Sequence, residues 1–170
     1  MVEHIEGFAQ AAEKLAKQQT LQEILTTASS FEEKARDFYQ SMIPRVSKRI
    51  RWLVEELAEE EQRHFDLLQD LLKRDDLNDQ IHLQVETPES DGRFTDGLHL
   101  PEMAENPDDQ EIMLYALGRE QAAMQQYRAL SERTVAGPIQ QLFAFLANEE
   151  TQHKAELEKL YYEIVHSGGV

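Results

Sequence analysis

Cysteine is absent from all 170 residues. That excludes disulfides, thiol catalysis, zinc knuckles and any cysteine-ligated iron site within this chain. Proline and glycine are scarce, at 5 and 7, so little interrupts long helices. Basic residues are outnumbered, 17 Lys and Arg against 33 Asp and Glu, giving a net charge of −16. That sign argues against nucleic acid and anionic membrane surfaces as partners, because both recruit clustered Lys and Arg. Long apolar runs are missing too. The stretch Ile112 to Leu117 is among the longest, far short of a membrane span, and the first residues hold no signal-like apolar core. A soluble cytoplasmic protein is the expectation. What is present is a 41% hydrophobic fraction in 19.7 kDa, enough for one well-buried domain over residues 1–170.

The periodicity is helical throughout, so the fold class is all-α. Ile5, Phe8, Ala12 and Leu15 fall on one face of an N-terminal helix over residues 1–18. Thr20 is the N-cap of a second helix that runs to about Met42, before Pro44. A third covers about Val46 to Lys73, making a first hairpin over residues 20–73. Residues 75–107 change character, with Pro88, Pro101, Pro107, Gly92 and Gly97, and read as a connection with a short extended piece at Ile81 to Val85. A fourth helix starts near Asp108 and ends before Gly137. Pro138 then opens a fifth that reaches about His166, completing a second hairpin over residues 108–166. So long a crossover can travel the length of a bundle and leave its second and third helices parallel.

The two hairpins repeat one another. One face of the first reads Leu25, Ala28, Glu32, Ala35, Tyr39, Met42. With an offset of 88 residues the other reads Met113, Ala116, Glu120, Ala123, Tyr127, Leu130. The partner helices match at an offset of 89: Ile50, Leu53, Leu57, Glu61, His64, Leu68, Leu71 against Ile139, Leu142, Leu146, Glu150, His153, Leu157, Leu160. Steps of three and four mark a core-facing stripe, yet each stripe carries Glu at its middle, and two add His three residues on. Measured from the hairpin turns at 1.5 Å per residue, all four Glu lie at depths of roughly 18–22 Å. Burying one unpaired carboxylate costs several kcal/mol, and four together also repel. Metal ions offset that cost.

The candidate ligands are therefore Glu32, Glu61, His64, Glu120, Glu150 and His153. Glu and His at i and i+3 share a helix face, so both reach one ion. Carboxylates with one imidazole per metal suit Fe or Mn, with Zn able to substitute. Two divalent ions would balance four carboxylates.

The segments Glu32 to Tyr39 and Glu59 to His64, with their echoes at Glu120 to Tyr127 and Glu149 to His153, resemble the rubrerythrin branch of the ferritin-like superfamily. The likeness covers about Leu21 to Ile164. It implies a ferritin-like bundle with a two-iron centre, in which Glu61 and Glu150 bridge the metals and Glu32 and Glu120 are terminal. Tyr39 and Tyr127 would donate hydrogen bonds to the ligands. The implied activity is reduction of hydrogen peroxide or O2, with ferroxidase or iron storage, or a metal-stabilised interaction module, as the other readings. Rubrerythrins proper add a cysteine-rich rubredoxin domain and a further Glu where this chain has Ala123, so an external electron donor is expected. A homodimer or higher homo-oligomer is expected as well.

The remaining candidates read as ordinary surface or core. Glu33, Glu59 and Glu60 are taken as solvated, and His4, His82, His99 and His166 as surface histidines. Trp52, Phe65, Phe143, Phe145, Tyr161 and Tyr162 read as packing residues of the core or of a dimer interface.

Overall fold

The computed structural model describes residues 18–86 and 103–167. A strand β1 (Gln18–Thr20) leads into α1 (Leu21–Met42), and α2 (Lys48–Leu72) returns. A 3-10 turn at Asp75–Leu77, a single helical turn α3 (Asn78–Ile81) and a strand β2 (Gln84–Glu86) follow. The second hairpin is α4 (Asp109–Arg133) and α5 (Pro138–Ser167). The four long helices expected from the sequence are all present, with ends within two residues of expectation except that α4 stops at Arg133, short of Gly137. The expected N-terminal helix lies in residues outside the described ones, except that Gln18 belongs to β1.

Local chemistry sets the boundaries. The Thr20 hydroxyl accepts from Glu23 N at 3.2 Å, and Asp108 does the same for Glu111 N at 2.8 Å; both are N-caps that satisfy an otherwise orphaned amide. Ser47 caps α2, and its hydroxyl also donates to Asp109 at 2.6 Å, tying the start of α2 to the start of α4. Gly137, at φ +155°, makes the turn into Pro138, a conformation costly for residues with a Cβ.

The start of the crossover is less open than its composition implies. Leu77, Ile81 and Val85 are buried against the end of the bundle. β2 pairs antiparallel with β1, Gln19 opposite Val85, and Leu21 N donates to Leu83 O at 2.9 Å. The extended piece expected at Ile81 to Val85 is thus a turn of helix at Ile81 and a strand only from Gln84.

Every residue of the four repeat stripes is buried except Leu142, which is half-buried. They form two apolar clusters. One holds Leu25, Phe31, Leu68, Tyr127, Phe143 and Leu146, the other Ala35, Leu53, Leu57, Met113, Ala116 and Leu157. Each helix passes from one cluster to the other at its stripe Glu. α1 and α5 run from the first cluster to the second, α2 and α4 from the second to the first. α2 and α4 are therefore parallel, as the crossover demands, and a polar layer separates two apolar ones.

We expect Leu53→Ala, at a site 1% exposed, to lower the unfolding free energy by about 2–5 kcal/mol. Thr20→Ala should cost about 1 kcal/mol through the lost cap. Urea unfolding followed by circular dichroism measures both.

Candidate metal centre

The polar layer collects all six sequence-predicted ligands. α1 supplies Glu32, α2 Glu61 and His64, α4 Glu120, and α5 Glu150 and His153; none is more than 2% exposed. Their donor atoms gather in two overlapping groups. Glu32, Glu61, His64 and Glu150 form one, and Glu61, Glu120, Glu150 and His153 the other, with the atoms of each group within 4.8 Å of one another. Glu61 and Glu150 belong to both.

The spacing fits ligands gathered around an ion. His153 Nδ1 lies 3.4 Å from Glu150, 3.5 Å from Glu61 and 3.5 Å from Glu120, nearly equidistant from three oxygens. His64 Nδ1 lies 3.0 Å from Glu150 and 3.2 Å from Glu61. Donors bound at about 2.1 Å and at right angles stand about 3 Å apart. Glu32 Oε2 and His153 Nδ1 make no hydrogen bond despite their burial. A buried polar atom without a partner is costly, and a cation would satisfy all of these at once. The donor set fits a pair of hard divalent ions.

Without metal, protons do the balancing. Burial, then the charges of Glu61 and Glu150, push Glu32 well above the usual carboxylate range. Burial, then Glu150 and Glu61, does the same to Glu120. Burial opposes ionisation of Glu61 and Glu150 too, but the close approach of the two histidines (and of Glu120 for Glu150) holds both below their ordinary values. His64 and His153 are raised far above theirs, because the surrounding carboxylates outweigh burial. The metal-free layer is then two imidazolium cations, two carboxylates and two neutral acids.

Two tyrosines close the layer. Tyr39 on α1 donates to Glu120 on α4, and Tyr127 on α4 donates to Glu32 on α1. Burial and those same carboxylates raise both phenols well above their usual range, so they remain protonated donors. Each fixes the carboxylate of the opposite hairpin.

Residues 23–97 match the Rubrerythrin family. Among solved structures the chain is similar to a Thermotoga maritima protein described as a ferritin-like diiron-carboxylate protein. The identity is 19%, the TM-score 0.67, and the match covers 85% of this chain and 96% of that one. No curated protein matches the sequence. The fold is ferritin-like.

Around the ligand layer sit residues whose part the sequence did not disclose. Glu60 is not solvated: it is partly buried and reaches across to His153 Nε2. The hydrogen bond with that imidazole lowers its carboxyl. Its repeat counterpart, Glu149, lies 3.9 Å from His64 Nε2. The 89-residue offset that pairs the ligands also pairs these two, and was the available signal. Arg119, 5% exposed, stands next to Glu120 with its guanidinium 5.4–5.9 Å from the rings of Phe31, Phe38 and Tyr115. It is a buried cation on the ligand layer's flank. Glu33, Glu59, His82 and His166 are exposed as expected; His4 and His99 lie outside the described residues. Phe143 is core, Phe65 and Tyr161 are half-buried, and Trp52, Phe145 and Tyr162 are exposed.

Each raised group binds its proton more tightly folded than unfolded. Glu32 and Glu120 therefore withdraw stability as pH rises past 4.5, and His64 and His153 do so as it rises past 6.5. The melting temperature of metal-free protein should fall steadily from about pH 5 to about pH 8. Filling both positions should release about four protons per chain near pH 6, seen by calorimetry in buffers of different ionisation heat. Release of fewer than about two would contradict the proton inventory.

Proposed function

We propose that the chain is a non-haem two-metal oxidoreductase, with iron as the working metal and manganese as the alternative, that reduces hydrogen peroxide or O2. The observation that carries this reading is the pair of overlapping donor groups sharing Glu61 and Glu150. Glu61 and Glu150 would serve both ions, and one private Glu and one His would complete each set. In this reading Glu32 and His64 serve one ion, Glu120 and His153 the other.

When bound, a ferrous pair supplies two electrons, enough to convert hydrogen peroxide and two protons into two waters. The chain's own groups do the rest. Tyr39 and Tyr127 hold Glu120 and Glu32 against rotation. The two apolar clusters exclude bulk water from above and below, which strengthens every charge interaction in the layer. Ala123 is buried, 1% exposed, so α4 offers no spare carboxylate there to exchange with a histidine. Because the sequence holds no cysteine, electrons for a further turnover come from an external donor.

The test is anaerobic loading with Fe(II) followed by stopped-flow mixing with peroxide or with O2. The parent should oxidise its iron at least about a hundredfold faster than Glu150→Ala. Equal rates for parent and variant would exclude the reading. Tyr39→Phe should keep the metal but slow oxidation by about tenfold, through a misplaced Glu120.

A further inference from the structure

The 88-residue offset that matches Glu32 to Glu120 also matches the residues before them, Phe31 on α1 and Arg119 on α4. The repeat is broken there. Phe31 is an apolar ring, 2% exposed, while Arg119, 5% exposed, carries a cation into the same position. The break extends to the surroundings, since Phe38 corresponds to Gln126 and Tyr115 to Thr27. Packing does not call for a charge at this position, because Phe31 fills its equivalent without the desolvation cost of a buried cation.

Arg119 is held without being neutralised. Its guanidinium lies 5.5 Å from the ring of Phe31, 5.4 Å from Phe38 and 5.9 Å from Tyr115. Ring faces attract a cation through their quadrupoles but carry no net charge. Its Nε and Nη2 are buried with no hydrogen-bond partner, and no ion pair joins it to a carboxylate among the described residues. A buried ammonium readily sheds its proton, whereas a guanidinium keeps its charge. That charge reaches the ligand layer on one side. Burial and the charges of Glu120 and Glu61 raise the Tyr39 phenol, and Arg119 pulls it back; Tyr127 is raised by burial, then Glu32, Glu150 and Glu61.

We propose that Arg119 sets the reduction potential of the metal pair, its unneutralised charge favouring the more reduced state. This rests on the two-metal reading of the layer. Each electron delivered by an external one-electron donor removes one unit of positive charge from the layer, and each oxidation restores it. A fixed cation beside the layer favours the first change and opposes the second, so it raises the potential. Two unit charges about 10 Å apart at an effective dielectric of 20 shift an equilibrium by at least about tenfold. With no cysteine in the chain, the electrons come from outside, and a raised potential widens the range of reductants able to supply them.

The experiment is an anaerobic redox titration of the iron-loaded full chain, followed by absorbance, with iron content from metal analysis. Arg119→Met keeps an apolar stem among the three rings and removes the charge. Tyr115→Glu keeps the guanidinium and places a carboxylate four residues before it on α4, where the two can pair. Each variant should be about tenfold harder to reduce at a fixed donor potential, a fall of about 59 mV per one-electron step. The parent's midpoint in either variant, with both positions filled, overturns the tuning and leaves the centre standing. Should Arg119→Met fail to fold, Tyr115→Glu decides alone, because its site is only half-buried. A parent chain that holds no iron pair overturns the centre itself, and the tuning with it.

Discussion

Four carboxylates at one depth in a helical bundle must be given positive charge, and the rest of the molecule is arranged around that requirement. Two unit charges 4 Å apart repel by about 4 kcal/mol at an effective dielectric of 20. Any one of the five close pairs among the four groups thus rivals a large part of a small domain's net stability. The metal-free layer meets the requirement with protons on His64, His153, Glu32 and Glu120. Two divalent ions would meet it by displacing those four protons. Either filling leaves the layer near neutrality, so the fold does not need to rearrange between them. Metal affinity and proton affinity become the same property of one site.

The layer also joins the two halves of the bundle. Backbone packing is closest within each hairpin, α1 on α2 and α4 on α5. Across the hairpins, at ligand depth, the connections are made by polar side chains. Tyr39 reaches Glu120, Tyr127 reaches Glu32, Glu60 reaches His153, and His64 reaches Glu150. Every one of these links runs from one hairpin to the other, and the two tyrosine links are related by the repeat. A bundle held there by leucines would pack more tightly. Here hydrogen bonds and charge span the space between the halves.

The legible part of this structure was the part written in local periodicity. Stripes at steps of three and four located the core, and their shared interruption by Glu located the ligand layer. Thr20, Asp108 and Pro138 marked helix starts that the structure shows within a residue. What stayed hidden depended on contacts between distant elements. The pairing of Gln18–Thr20 with Gln84–Glu86 joins segments more than sixty residues apart and leaves no periodic signature. The helical turns over Asp75–Ile81 are short enough that their burial, not their propensity, decides them. Glu60 was concealed by its setting in Glu59-Glu60-Glu61. Successive residues on a helix differ by about 100° in direction, so one of the three is solvated, one faces the gap to α5 and one enters the core. Only the neighbouring helix distinguishes them.

That same rotation explains why a doubled Glu precedes each histidine. In Glu60-Glu61-x-x-His64 the second Glu is three residues from the imidazole and the first is four, so both lie on its face of α2, to either side of its axis. The arrangement on α5 is identical, and the two helices set the first Glu of each against the histidine of the other. An imidazole ligand works well only if its far nitrogen has a partner that fixes its orientation. Here that partner cannot come from the same helix, because Glu61 and Glu150 are turned inward toward the ligand layer. Supplying it from the opposite hairpin gives each histidine one carboxylate in front and one behind. It also brings a half-exposed acidic group to the gap between α2 and α5, where the buried layer comes nearest to solvent. Orientation of both imidazoles thus follows from a single repeated residue.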